Sequence, residues 1–194
     1  TVPGTFAESD NSSIGASWIG DQGFFGMAYS YRRDNYGLPG HNHEFEECGV
    51  SRGRLDCPDE EHDHEHGEEV TPFVDLASRR VDARGEYRTP MDGITAIRFR
   101  GNHTEYRHHE IEEGEIGTTF RNRGGDARLE VEHAPIGNWR GVVGMQYTDF
   151  DFSSLGGEAF VPKTESRAMA LFAVEEYRLN DQWRFELGAR QEHQ

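Results

Sequence analysis

Residues 81–88 read VDARGEYR, and the reading of this stretch decides the fold. Val81, Ala83, Gly85 and Tyr87 alternate with Asp82, Arg84, Glu86 and Arg88, so a period of two puts charge on one face only. The alternation recurs outward along the chain. Ile97 and Phe99 interleave with Arg98 and Arg100, and Ala127, Leu129 and Val131 with Arg128, Glu130 and Glu132. Trp183, Phe185, Leu187 and Ala189 do so with Arg184, Glu186, Gly188 and Arg190. A soluble β-sandwich has the same period, so alternation fixes strands without choosing between a soluble sheet and a membrane one.

Lengths and connections choose. The pattern predicts strands at 12–20, 23–34, 73–89, 94–109, 118–133, 139–152, 164–180 and 183–194, long enough to cross a bilayer when tilted. Asp21-Gln22, Pro90-Met91-Asp92-Gly93, Pro135-Ile136-Gly137-Asn138 and Asn180-Asp181 supply turn residues. Between them lie a long acidic loop over 34–72, a Glu/Gly loop over 110–117 and a Gly/Ser loop over 153–163. Short turns on one side and long loops on the other are the signature of an antiparallel transmembrane β-barrel. Trp18, Trp139 and Trp183 fall at turn-proximal strand ends, while Tyr29, Tyr31, Tyr106, Tyr147, Phe150 and Phe152 fall toward the loops, as two interfacial girdles would. In residues 169–174, MALFAV, both faces are apolar and the pattern leaves open which set meets lipid.

Composition fits and excludes. Only 34% of residues are hydrophobic and the mean hydropathy is −0.84, which a barrel tolerates because one strand residue in two is polar. No apolar run reaches the roughly 20 residues of a membrane helix, and TVPGTFAESD carries no signal-peptide pattern. The net charge of −16 disfavours a nucleic-acid partner. No GxSxG-type nucleophile motif occurs, and Gly124-Gly125 lacks the strand–loop–helix setting of a phosphate cradle, so an enzyme is not expected.

More than half of the negative charge is local. Residues 41–69, HNHEFEECGVSRGRLDCPDEEHDHEHGEE, hold eleven carboxylates against Arg52 and Arg54, a net −9 with histidines neutral. The same stretch holds five histidines and both cysteines. His41 and His43, and His62, His64 and His66 around Asp63, place imidazoles at alternate positions among Glu44, Glu46 and Asp59, a donor set for zinc, copper or nickel. The plainer alternative is a solvated acidic loop with incidental histidines. Cys48 and Cys57 in an oxidising compartment favour a disulfide, worth about 2–3 kcal/mol on the loop-entropy model, which would hold Glu44, Glu46, Asp59 and the histidine tract together. Ligation by both thiolates in a Cys2His2 zinc site is the rival, although C-x8-C is wider than the usual spacing. A second cluster surrounds the end of the strand over 94–109. There His108 and Glu110 project to one face and His109 to the other, with His103 and Tyr106 nearby.

In order along the chain, FFGMAYSYRRDNYGLPGHNHE, the Cys-bracketed loop ending in HxHxH, PFVDLASRRVDARGEYRTP, NHTEYRHHE and EHAPIGNWRGVVGMQY resemble the zinc-uptake branch of the TonB-dependent outer-membrane receptors. The similarity covers nearly the whole chain. It implies a segment of a 22-stranded barrel in the bacterial outer membrane, in contact with outer-membrane lipid. Such a barrel is filled by an N-terminal plug and energised through an inner-membrane TonB complex. No plug, TonB-contacting motif or aromatic terminal strand is seen here, so residues 1–194 are expected to be one internal barrel segment.

The resemblance also implies zinc as the transported ion, where affinity order alone would favour copper. It makes His108 and Glu110, within the YRHxE segment, candidate ligands of a deeper site near the plug. The expected route is capture by the outer loop and transfer inward. A haem or siderophore receptor of the same fold, or a metal-buffering surface β protein, are the alternatives.

Replacing His62, His64 and His66 together by Ala is expected to lower the amount or affinity of zinc bound by the intact protein without changing its strand content. Calorimetry with zinc checks this, and unchanged stoichiometry and affinity would remove the tract as a ligand.

Overall fold

The computed structural model describes residues 4–39, 49–51, 54–56, 71–157, 159 and 161–194. Its strands are β1 (Ala7–Gly20), β2 (Gly23–Gly37), β3 (Gly49–Ser51), β4 (Arg54–Asp56), β5 (Phe73–Met91), β6 (Ile94–Glu112), β7 (Glu115–His133), β8 (Trp139–Gly156), β9 (Thr164–Arg178) and β10 (Arg184–His193). Eight of them form one antiparallel sheet in the order β1-β2-β5-β6-β7-β8-β9-β10, and β3 pairs with β4 within the connection from β2 to β5. The sheet is open. β1 and β10 each have a strand neighbour on one side only. No helix among the described residues is long and apolar enough to cross a membrane, which leaves strand crossing untouched.

The pairing register converts each strand's alternation into two continuous surfaces. Gly85, Phe99, Leu129 and Met145 lie in one cross-strand row with Phe25 and Leu171, and Val81 lies in a row with Tyr29 and His103. Trp18 joins the first of these rows through Phe25. On β8 the apolar positions run from Trp139 to Tyr147, eight steps or about 26 Å of strand. The large side chains on this face are exposed, from Ile14 and Trp18 through Phe25, Val81, Phe99 and Leu129 to Met169 and Leu187.

Along the span of this apolar band the opposite face carries the charges, and it holds every buried side chain among the described residues. Among the described residues other than glycine, Val74, Ala96, Ala170 and Phe172, together with Asp34, Thr118 and Ser154, are the buried ones. All belong to polar-face rows, as in a sheet that curls toward that side. The ambiguity over 169–174 is thereby settled: Leu171, 59% exposed, and Met169 join the apolar face, and Ala170 and Phe172 the polar one. Phe172 is accommodated there because it lies across Gly144, which has no side chain, and because the Arg128 guanidinium sits 4.0 Å above its ring centroid.

Arginine and carboxylate partners organise the rest of the polar face. Arg98 bridges Glu86 and Glu132 at 2.9 and 2.7 Å across three strands, and Arg80–Asp82, Arg88–Glu86, Arg128–Glu130 and Arg190–Glu192 pair along their own strands. Each exposed pair contributes at most about 1 kcal/mol. Their effect is to satisfy charge along a face that is largely exposed.

Several boundaries differ from expectation. The Glu/Gly stretch over 110–117 is not a loop. β6 and β7 continue through it to Glu112 and Glu115, joined by Glu113 and Gly114 with φ of 51° and 82°, the two positive values a primed hairpin turn requires. Its Glu/Gly composition imitates a loop because no apolar alternation marks that end of the strands. The long loop is 38–72 rather than 34–72, since residues 34–37 remain paired with 73–76 in β5. Pro90 and Met91 belong to β5, with Thr89 at φ 47° and a register shift between Arg88 and Met91, leaving Asp92-Gly93 as the turn. Tyr106, Phe150 and Phe152 lie in polar-face rows, so they take no part in a girdle on the apolar face.

A Cβ on Gly144 would lie 2.3 Å from the Phe172 ring and 2.6 Å from the Leu129 carbonyl oxygen. Gly144→Val should therefore lower stability by about 2 kcal/mol or more. A denaturant midpoint shift in the intact, refolded protein measures it, and an unshifted midpoint would contradict the packing described.

Candidate functional site

At the end of the sheet where the 38–72 connection departs, two polar-face rows contain an unusual set of groups. One reads Tyr36, Val74, Glu110, Thr118 and Gly156; the next reads Asp34, Leu76, His108, Phe120 and Ser154. The rows therefore draw on five strands, β2 and β5 to β8, which meet only through long-range pairing. His108 and Glu110 share this face, as the sequence predicts, and His109 points to the other, where its Nδ1 meets the Thr119 hydroxyl at 2.8 Å.

His108 is held on two sides. Its ring lies 4.9 Å from that of Phe120, and its Nδ1 is 3.0 Å from the Tyr106 hydroxyl. That contact leaves Nε2 as the ring nitrogen toward Glu110: with the tyrosine hydroxyl donating to Nδ1, Nε2 carries the proton that faces the carboxylate, and with Nδ1–H donating to the tyrosine oxygen, Nε2 offers its lone pair to a metal. The separation there is 3.5 Å, inside ion-pair range but without hydrogen-bond geometry.

Three buried side-chain atoms among the described residues have no hydrogen-bond partner: His108 Nε2, Thr118 Oγ1 and Ser154 Oγ. All three lie in these two rows. A buried polar atom left unpaired costs about 1–3 kcal/mol, and such atoms are rare, so their concentration at one place calls for a reason. Asp34, also buried, does not share the deficit, because it accepts from Ser9 Oγ and Arg32 Nε, both at 2.6 Å.

The base of the 38–72 connection stands directly over the site. Leu38 N donates to the Pro72 carbonyl at 2.9 Å and Gly37 N to that of Phe6 at 3.0 Å, while Gly37 pairs with Phe73. One step along β5, Val74 is the partner of Glu110. Within the connection, Gly49 pairs with Asp56 across the β3–β4 hairpin.

Of the residues singled out in the sequence, His108 and Glu110 are brought together here. His41, His43, Glu44, Cys48, Cys57, Asp59, His62, Asp63, His64 and His66 lie outside the described residues. Among the described residues no group of three or more His, Cys, Asp and Glu side chains stands ready to hold a metal, so His108 and Glu110 form a pair and not a complete donor set. Sequence reasoning missed Asp34, Thr118, Ser154 and Phe120, whose place in the same two rows as His108 and Glu110 depends on register. It also gave His133 no role; that ring contacts Glu175 at 3.1 Å across Gly141, where a side chain would collide with the glutamate. No protein-family model matches the chain.

Thr118 is 1% exposed and its hydroxyl is one of the unpaired atoms. Thr118→Val, which keeps the shape and removes the hydroxyl, is expected to stabilise the protein by about 1 kcal/mol or more in the presence of a chelator. Thermal unfolding tests this, and a destabilised variant would mean that the hydroxyl is satisfied.

Proposed function

We propose that the chain is a segment of a TonB-dependent outer-membrane receptor barrel that imports zinc. In this reading the apolar face meets outer-membrane lipid and the polar face lines the barrel. The two-residue turns at Asp21-Gln22 and Asp92-Gly93 lie on the periplasmic side, and the 38–72 connection lies outside the cell. The further strands of the 22-stranded barrel would pair with the free edges of β1 and β10. The observation that supports the zinc reading is that His108 Nε2, Thr118 Oγ1 and Ser154 Oγ, all buried and unpaired, fall in two adjacent rows with Glu110, at the end of the sheet where the histidine-rich connection departs.

The chemistry follows from those positions. The clustered carboxylates of 41–69 raise the local concentration of cations, and their histidines offer neutral ligands that let go on protonation. At the foot of the loop His108 and Glu110 supply one nitrogen and one carboxylate oxygen, with Tyr106 fixing the imidazole. A zinc ion needs about four donors, so the others would come from the loop or from the plug. A filled lumen is supported by a second feature. Arg84 and Arg100 face one another across β5 and β6 midway along the polar face and have no ion pair among the described residues. Carboxylates of a plug, itself engaged by the TonB complex, would neutralise them. The Gly49–Asp56 pairing supports a Cys48–Cys57 disulfide, since the two cysteines are the next residues outward in sequence.

The Tyr106–His108 contact favours one other reading, a haem receptor of the same fold, because tyrosine and histidine also ligate haem iron. Radiozinc uptake at matched surface expression of the full-length protein separates the possibilities. Deleting 59–69 should raise the zinc concentration needed for half-maximal uptake, and excess zinc should rescue it. His108→Ala with Glu110→Ala should lower the maximal rate about tenfold or more, the loss of roughly 1.4 kcal/mol or more at a two-ligand site. Wild-type zinc uptake by both variants would overturn the proposal, and lost haem-dependent growth alongside it would favour the haem reading.

A further inference from the structure

The apolar face ends abruptly toward the loop end, and a zone of arginine follows. Successive rows on that face read Tyr29, Val81, His103, Gly125; then Tyr31, Arg79, Glu105, Arg123; then Arg33, Ala77, Arg107, Arg121. Arg33 is engaged by Asp75 at 3.2 Å, and Arg123 reaches Glu105 at 3.5 Å. Arg79, Arg107 and Arg121 are exposed and have no ion pair among the described residues. Arg107 and Arg121 are direct partners in the β6–β7 register, so two guanidinium groups of like charge issue from positions roughly 5 Å apart. To one side, Asp151 on β8 is the register partner of Arg123, and Asp149 and Glu165 are met by Arg167, whereas the facing Arg107–Arg121 pair continues to Ser153 and has no carboxylate in its row on β6 to β8.

A directly facing arginine pair is destabilising unless an anion lies between or above it. Guanidinium groups suit phosphate because their planar N–H forks bind two oxygens at once. Depth points the same way. The Arg79–Arg123 row lies two residues beyond Val81 and the Arg107–Arg121 row four, about 7 and 13 Å along the strands. With a strand tilt near 40° these become about 5 and 10 Å above the apolar edge, within side-chain reach of the headgroup layer. Free phosphate has no reason to sit at the rim of an apolar band; a lipid has.

We propose that Arg79, Arg107 and Arg121 form a binding surface for the phosphorylated headgroup of an outer-leaflet lipid whose acyl chains lie against Val81, Phe99 and Leu129. The inference rests on the reading of the apolar face as lipid-facing, and names the lipid chemistry that face selects. It does not involve His108 or Glu110.

Native mass spectrometry of the intact receptor in detergent, titrated with diphosphoryl lipid A and with the same lipid dephosphorylated, tests it. Wild type should bind the diphosphoryl form about tenfold more tightly. Arg107→Gln with Arg121→Gln should lose that preference while keeping affinity for the dephosphorylated lipid and unchanged zinc uptake. Arg79→Gln alone, which leaves the facing pair in place, should reduce the preference in part and guards against a folding failure of the double variant. Lipid binding without phosphate preference, or a preference untouched by these substitutions, would overturn the proposal and leave the receptor reading intact. Competition by inorganic phosphate at equal concentration would overturn the lipid assignment. Absence of any lipid adduct would overturn both.

Discussion

The rest of the structure depends on register. Because side chains alternate with a period of two, slipping one strand by one residue would carry its arginines and glutamates to the apolar face and its aromatic residues to the charged one. β5, β6 and β7, each 19 residues long, are locked against such a slip by both surfaces at once. On one side Gly85, Phe99 and Leu129 must stay in line, and on the other the Arg98 fork must reach Glu86 and Glu132. No single ion pair is worth much, but a slip would break them all together. The two glycine approaches, Gly144 beneath Phe172 and Gly141 beneath the His133–Glu175 contact, add steric marks that a displaced strand could not satisfy.

That same register assembles the candidate site. His108 and Glu110 share a face for the local reason that they are two residues apart. Their neighbours arrive from elsewhere: Asp34 from β2, Thr118 from the next strand and Ser154 from the one after. This gives the site its chemical character. Satisfied groups such as Asp34 share the two rows with unsatisfied ones, at the end of the sheet where the 38–72 connection departs. The proposed zinc route therefore needs no moving part within the sheet, only donors supplied from above or from inside.

Where the sequence was legible, the reason is physical. VDARGEYR and its relatives reveal strands because an apolar surface must alternate with a charged one, and all eight long strands are present, although β1 begins at Ala7 instead of 12 and β8 runs to Gly156, into the stretch expected as a Gly/Ser loop. Legibility fails beyond the apolar band. Glu112 and Glu115 pair as strand residues, yet the paired Ile111 and Ile116 beside them are too few to form an alternation, and the Glu113-Gly114 turn is recognised only from its positive φ values. Tyr106 looks like a girdle residue because aromatic type says nothing about which face it occupies; its parity with His108 does. Thr118 and Ser154 were invisible as site residues since neither type nor local spacing announces a partner across the sheet. The His-rich tract was the plainest feature of the chain and lies outside the described residues, so its part in the proposal rests on donor chemistry.

The central claim is that the apolar face meets lipid and the charged face meets water, from which the passage, the mouth site and the headgroup surface all follow. Spin labels placed singly at 126–131 along β7 of the intact, membrane-reconstituted protein test it directly, by relaxation with oxygen, which partitions into lipid, and with a water-soluble nickel chelate. Opposite two-residue oscillations are expected, with oxygen strongest at Ala127, Leu129 and Val131 and nickel strongest at Asp126, Arg128 and Glu130. Equal access to nickel at all six positions, or oscillations in the reverse phase, would contradict it.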